Sequence, residues 1–462
     1  MTPRLKIATL YLIGFALDVA SMFILNAALP ALQKELQATV AETAWVGTLH
    51  VLGLTIAIPL GGWLGQRFGE RRVFVASLLV ACAGALGAAS VTGIGLLLAC
   101  RFVQGLGGGL LVPVGQAMAY RAYPPEARAG LTSLVMTAGL IVPACAPTIG
   151  GIVADQVSWR WIFSSLALIS IATAGLASTW LPIDRKAAPA HARFDLSGFL
   201  LGTMFLACLP LGLTLAGQRA TLMKAGGLLA VAALSGAAYI RHARHTADPI
   251  LRLDLLAMPV LRAGSLIYLC VPGMFTGVNL IASLYLQDEI GLSATGTGLL
   301  MLPWAIASCV AILGSRRVLP ASGARPLFVT GMIVTALGTL LLASSMVHTA
   351  VGRLLAFTLM GLGASVCTST AQTSAFTAVP TTRMTEASTL WSINRQLSFA
   401  LGSSVMSGIL SSLLALLRSG DPALTYRICF IIAAVLMLLP LPVVLRLPRH
   451  ADQSLIDEQD IA

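Results

Sequence analysis

What this sequence has least of is charge. Lys and Arg number 29 and Asp and Glu 18 in 462 residues, 10% in all, where a soluble domain carries about 25%. So few ionic groups could not wet the surface of a particle this size in water, which excludes a soluble globular enzyme. Other absences narrow the field. No GxxxxGK[ST] loop occurs, and no polar segment is long enough for a nucleotide-binding domain, which disfavours ATP-driven pumping. The eight cysteines stand in apolar runs without a CxxC pair and read as small buried hydrophobic side chains. The six histidines show no metal-ligand spacing. No nucleophile motif and no paired catalytic carboxylates stand out, so the chain reads as a non-enzyme that needs no cofactor and no metal. The first apolar run continues past Pro30 without an early small-residue cleavage motif and reads as a membrane span rather than a leader.

What the chain does have is apolar length. Hydrophobic residues make up 57% of it and mean hydropathy is +0.88. Apolar runs bounded by charges predict spans near 7–29, 45–64, 72–90, 94–118, 129–153, 159–181, 196–217 and 223–241. Six more are predicted near 262–286, 294–313, 325–345, 350–376, 386–416 and 424–446. Each is about the 20 residues that a bilayer requires, except 386–416, which is longer. Placing the N-terminus inside puts 20 Lys and Arg in inner connections and seven in outer ones. That bias predicts both termini in the cytoplasm and an even number of spans. The formal charge of +11 is thereby a positive-inside signature, and nucleic acid is not an expected partner.

The spans fall into blocks. Residues 1–182 hold six, residues 183–241 an inner loop and two more, residues 242–447 a basic connection and a second six, and 448–462 an acidic cytoplasmic tail. Six, two and six suggests duplicated bundles with a central hairpin, an all-α polytopic protein with transporter-like symmetry. The basic connection holding Arg67, Arg71 and Arg72 has its counterpart at Arg316, Arg317 and Arg325. Trp45, Trp159, Trp161 and Trp180 fall near predicted interfaces, where a belt of aromatic residues is expected.

Ionisable and polar residues inside spans carry the functional information, because a charge at the bilayer centre must face a bundle interior or a cavity. Asp18 lies midway along the first run, with Asn26 eight positions on, roughly on the same face. It reads either as a proton or cation site or as the structural partner of a buried arginine or backbone group. Arg101 opens RFVQG in the fourth span, with Gln104 one turn on. An arginine keeps its proton at working pH, so it is a fixed positive element, either coupling or bundle-locking. The first span runs outward and the fourth inward, which sets the two residues at similar depths. The expectation is that Asp18 and Arg101 pair. In the fifth span, GLIVPACAPTIGG sets Pro143 and Pro147 among Gly139, Gly150 and Gly151, a bend that serves either as a gate or as a static kink. In GGWLGQRFGERR, Gly62, Gly65 and Gly69 permit a tight turn while Arg67, Arg71 and Arg72 meet the anionic inner face. SINRQLSFALG places Asn394, Arg395 and Gln396 within the thirteenth span, and Glu386 stands at its inner end near Arg383. His50, in the second span, belongs to the type that titrates near neutrality, with a hydrogen-bonded structural role as the alternative.

LDVASMFILNAALPALQKEL, GWLGQRFGERR, RFVQGLGGG, PACAPTIGG followed by WRWIF, LYLQDEIGLSATGTGLLMLP and NRQLSFALG occur in this order. Together they resemble the major facilitator superfamily, specifically its fourteen-helix drug:proton antiporter branch, over residues 7–447. Two positions depart from the pattern: Gln66 stands where many members carry an acid, and Ala146 where a glycine usually precedes Pro147. The resemblance implies two six-helix bundles plus a central two-helix insertion, and export of hydrophobic or amphipathic compounds against inward proton flow, with Asp18 at the family's acidic position. Asp18, Arg101, Glu386 and His50 are the proton-coupling candidates. Asn26, Gln104, Asn394, Arg395 and Gln396 are candidates for the cavity. The partners so implied are a small-molecule substrate, protons and the lipid bilayer of a bacterial cytoplasmic membrane. In a Gram-negative host a periplasmic adaptor and an outer-membrane channel would be added. A specific metabolite, siderophore or sugar transporter is the alternative within transporters, and a non-transporting receptor the alternative outside them.

Overall fold

The first helix begins where the sequence supplies a cap: the Thr2 hydroxyl accepts the Leu5 amide and Pro3 takes the first helical position. The computed structural model describes residues 2–25, 28–182, 194–216, 221–246, 248–292, 294–416 and 422–447. Asn26, the loop at 183–193 and the tail at 448–462 lie outside the described residues. Among the described residues every regular element is a helix. The first group is α1 (Pro3–Phe23), α2 (Leu29–Glu35), α3 (Val40–Ala57), α4 (Leu60–Phe68), α5 (Glu70–Ser90), α6 (Ile94–Ala122), α7 (Pro125–Gln156) and α8 (Arg160–Trp180). A hairpin follows, α9 (Leu196–Ala216) and α10 (Leu222–His245). The rest is α11 (Pro259–Cys270), α12 (Pro272–Asp288), α13 (Ala294–Leu299), α14 (Met301–Ser322), α15 (Ala324–Ala343), α16 (Ala350–Ala378), α17 (Met384–Leu416), α18 (Pro422–Leu438) and α19 (Leu441–Leu445).

Among the described residues twelve helices are long and apolar enough to cross a membrane, or up to fourteen, the expected number, when each of two bent pairs counts as one span. One bend is the predicted one: α7 turns by 40° between the segments ending at Pro143 and starting at Thr148. The other was not predicted. The second span breaks by 52° between α3 and α4, where Pro59 removes a backbone donor. The long thirteenth span is one helix of 33 residues, α17. Much apolar surface faces outward. Only 22% of the apolar window is buried in each of α9 and α10, an exterior suited to lipid and not to water.

Helices of the first group pack on one another, α6 against α1, α3 and α5, and α8 against α1 and α5. The later helices repeat the arrangement, α16 against α11, α14 and α15, and α18 against α15 and α17. The two groups meet crosswise: α7 lies on α14 and α16, while α17 lies on α4 and α6. Gly69 (φ 91°) closes α4 and opens α5, and Gly323 (φ 72°) does the same between α14 and α15. Both positions need a left-handed residue, so the duplicated basic connections share one turn geometry. The hairpin packs on α17 and α3. Tyr239 ties it to the following segment, its hydroxyl donating to the Leu251 carbonyl and accepting the Leu251 amide, each at 3.0 Å.

Two smaller expectations fail. Trp159 is no belt residue: it is 2% exposed and its indole donates to Glu35 at 2.6 Å, because α2 folds back over it. Cys145 is exposed rather than buried, on a helix whose apolar outer face is suited to contact with lipid.

Candidate functional site

Polar groups converge in two places. The first is inside the first group of helices. Asp18 on α1 is 4% exposed, and its Oδ1 has no hydrogen-bond partner. It faces α6 at Gly108, where an added Cβ would stand 2.8 Å from Oδ1. A close approach of backbones brings α3 to the same place, since a Cβ on Gly105 would run into the His50 carbonyl. The run of glycines after Arg101 thus lets α1 and α3 both close on α6. A cavity of about 20 Å³ remains, lined by Asp18, Ser21, His50, Gln104 and Ser170 among others. His50 is 1% exposed; its imidazole lies beside the Arg101 backbone, and neither ring nitrogen makes a well-formed hydrogen bond.

Arg101 is buried beside this cavity, 1% exposed. The expected pair with Asp18 does not form: no ion pair joins the two within 4.0 Å. The guanidinium donates instead to the Ser21 carbonyl at 3.1 Å, the Ser21 hydroxyl at 3.4 Å, the Val46 carbonyl at 3.2 Å and Gln104 Oε1 at 2.8 Å. Depth arithmetic placed the residues correctly near one another. It could not see that Ser21, one turn beyond Asp18, offers a carbonyl in the last turn of α1, where backbone acceptors lack helical partners.

The second place is where the two groups of helices meet. Arg128, 1% exposed, donates from α7 to the Phe376 carbonyl at 2.7 Å and, on its own side, to the Tyr120 carbonyl at 3.2 Å. Gln372 donates to the Tyr120 hydroxyl at 2.9 Å. Arg121 bonds Glu70 at 2.9 Å and the Thr385 hydroxyl at 2.6 Å, and Thr385 also donates to Glu70 at 2.9 Å. These bonds lie at the end of the bundle that carries Gly69 and the basic connections. The hydrophobic cluster there draws residues from both groups, whereas the clusters towards the other end each belong to one group. Sequence reading missed this layer, because residues such as Tyr120 and Gln372 stand 252 positions apart and neither is unusual in its own span.

The remaining candidates separate. Arg395 reaches from α17 across to α1, its guanidinium 5.2 Å from the centre of the Phe15 ring. Asn394 donates to the Ser265 carbonyl at 3.2 Å, and Gln396 is half-buried. Asn394 lines a different, partly open cavity, about 550 Å³, bordered by α9, α10, α11 and α17 with walls of Phe205, Leu206, Ile240, Leu390 and Leu397. Glu386 stays apart from Asp18 and binds Arg383 at 2.9 Å and Arg252 at 3.8 Å. In α7, a Cβ on Gly139 would press on Phe15 and one on Gly150 on the Ile24 carbonyl, so those glycines seat the helix on α1; Gly151 is half-buried. Gly62 lies against Thr389 and Gly65 against Glu70 and Thr385, which draws α4 up to α17. Arg67, Arg71 and Arg72 sit around Gly69, Arg71 bonding the Ser178 carbonyl. Among the described residues no group of three His, Cys, Asp or Glu could hold a metal.

Known proteins share this architecture. A solved human organic anion transporter, MFSD10 (TETRAN), superposes with a TM-score of 0.70 at 18% identity, covering 96% of this chain and all of that one. The proton:xylose symporter XylE superposes with 0.63 at 16% identity, covering 94% and 95% of the two chains. Among sequences, the "Putative multidrug resistance protein MdtD" of Salmonella paratyphi B (strain ATCC BAA-1250 / SPB7) is 27% identical over 464 residues, 96% of this chain and 95% of the relative. That of Salmonella typhi is 27% identical over 463 residues with the same coverage. With the family description Major Facilitator Superfamily matched over residues 11–403 and again over 264–460, on a helical architecture built for transport of small molecules and not for catalysis, the chain belongs to the major facilitator superfamily.

Proposed function

We propose that this protein is a proton-coupled exporter of hydrophobic or amphipathic small molecules, working by alternating access between its two six-helix groups. The observation that carries the proposal is Asp18, a carboxylate buried inside a membrane bundle with one oxygen unpartnered. An isolated buried carboxylate is expensive unless it can take up a proton, which is what a coupling site requires. Inward movement of one proton across 100 mV supplies about 2.3 kcal/mol. Arg101, held by Ser21 and Gln104, is the fixed positive element beside it.

The contacts support a reading of the rest of the cycle. The basic bias favours both termini inside, in the cytoplasmic membrane of a bacterium. The layer of Arg121, Arg128, Thr385 and Gln372 is then an inner closure, and this conformation is the one shut towards the cytoplasm. Breaking those bonds while the outer ends approach turns the cavity inward. The hairpin α9–α10 stands between the groups as an insertion, and the 550 Å³ apolar cavity it borders falls in the range of about 300–1,000 Å³ of small-molecule sites. A narrower reading, transport of one amphipathic anion, is favoured by Arg395 facing α1.

Reconstituted protein is tested against a panel of hydrophobic cations and anions under an imposed pH gradient. Gradient-driven export of at least one class, lost in Asp18→Asn with the variant still inserted, is the expected result. Unchanged export and unchanged substrate-induced proton release in that variant would overturn the carrier role.

A further inference from the structure

The exporter reading assigns a task to Asp18 and none to His50, which is buried as deeply and shares its cavity. Oδ1 of Asp18 has no hydrogen-bond partner, and the His50 imidazole, which lies beside the Arg101 backbone, makes no well-formed bond at either ring nitrogen. Leaving one buried polar atom unsatisfied costs about 1–3 kcal/mol, so the unpartnered carboxylate oxygen and the imidazole beside one space point to an occupant. The space, about 20 Å³, exceeds the roughly 10–15 Å³ that admits one water and leaves no room for a larger ligand. The walls also suit water, which needs two to four polar partners. Besides Asp18 and His50, Ser170 and Gln104 line the cavity; the Ser170 hydroxyl spends its proton on the Leu166 carbonyl at 2.7 Å and keeps its lone pairs.

We propose that Asp18 and His50 form a single proton-binding unit, bridged by one water held between α1, α3, α6 and α8. A neutral imidazole carries one acceptor nitrogen and one donor nitrogen. The carboxyl proton passes from Asp18 to the water as the water gives one of its own to the acceptor nitrogen, and the reverse step restores the acid. One proton is therefore held at either residue, with no other reactant. Few charges bear on the pair. α6 contributes Arg101 and α17 contributes Arg395 over Phe15. α8 has only Arg160, at its first residue and bound to Glu35; α7 has Glu126, Arg128 and Asp155 near its ends; α9 has none. Tyr11 lies two turns back on α1. This inference rests on the reading of Asp18 as the proton carrier and adds His50 to it.

The full chain in lipid gives the test. Infrared difference titration, wild type minus Asp18→Asn, isolates the Asp18 carboxyl band, and nitrogen NMR follows the His50 imidazole, assigned through His50→Gln. Both signals should change with one midpoint. His50→Gln, and Gly108→Ala, which crowds Oδ1, should each shift the carboxyl midpoint by about tenfold in proton concentration. In Asp18→Asn the His50 signals should move to a different midpoint, a comparison that stands even if His50→Gln fails to fold. Separate midpoints in the wild type, with His50 signals unaltered by Asp18→Asn, would overturn the pair. A coincident titration with gradient-driven export intact in Asp18→Asn would leave the pair standing and remove the carrier role instead.

Discussion

Arg101 donates to the backbone carbonyl of Ser21 at 3.1 Å and in doing so caps α1 from the side. The Ala20 carbonyl accepts the Ile24 amide, but the Ser21 carbonyl is among the last four of the helix, where a cation is favoured by the backbone dipoles. The same guanidinium holds Val46 on α3 and Gln104 on α6. One side chain therefore fixes α1, α3 and α6 around the Asp18 cavity. Its charge is spent on backbone and neutral acceptors, and Asp18 is left without an ionic partner.

Arg101→Lys tests that arrangement. A lysine presents a point charge in place of a planar fork and cannot reach Ser21, Val46 and Gln104 together. The expected loss is about 2 kcal/mol, seen as a lower apparent Tm in detergent. A variant as stable as the wild type would mean that the four bonds contribute nothing jointly.

Gly105→Ala should do more harm than its one methyl suggests. The added carbon meets the His50 carbonyl and the Leu54 amide, so α3 must move off α6 or the chain must fail to fold. Gly95→Ala, on the same helix with nothing within 4 Å, is the matched control and should be neutral. Yields of monodisperse protein compare the two directly.

Arg128→Met keeps the apolar stem and removes the bond to Phe376 that joins α7 to α16. The closed end should then open more often. A cysteine at Ala387, which is 0% exposed in the shared cluster, should react with a maleimide about tenfold faster, the equivalent of about 1.4 kcal/mol. Equal rates would show that the layer is held by apolar packing alone.

Outside the spans, Glu35 gives a pH dependence. Hydrogen bonds from Arg160 and Trp159 hold its carboxyl below the usual carboxylate range. The depressed value means that this contribution is fully present above about pH 4.3, the unfolded value, and is lost as pH falls through the lower folded value. Thermal stability should therefore drop on acidification more in the wild type than in Glu35→Gln. The ends of α2 and α8 come together at this pair, and identical acid profiles would show that it is idle.

The sequence by itself determined that the chain crosses a membrane, with predicted spans near the observed apolar helices, because each pass through lipid demands about 20 apolar residues and leaves its mark in composition. Asp18, Arg101 and Arg395 were also legible, since an ion in an apolar run needs a reason wherever it points. Proline announced the bend in α7 but not the one at Pro59, which looks the same on paper. Only the tertiary structure decided which partners these residues have. Arg101 takes Ser21 and not Asp18, His50 joins Asp18 at one cavity, Trp159 turns inward to Glu35, and Tyr120 meets Gln372. The reason is geometric. Hydropathy sets how deep a residue lies, whereas a partner is chosen by rotation about the helix axis and by which helices are neighbours, and these depend on packing across stretches of chain as long as the 252 residues between Tyr120 and Gln372.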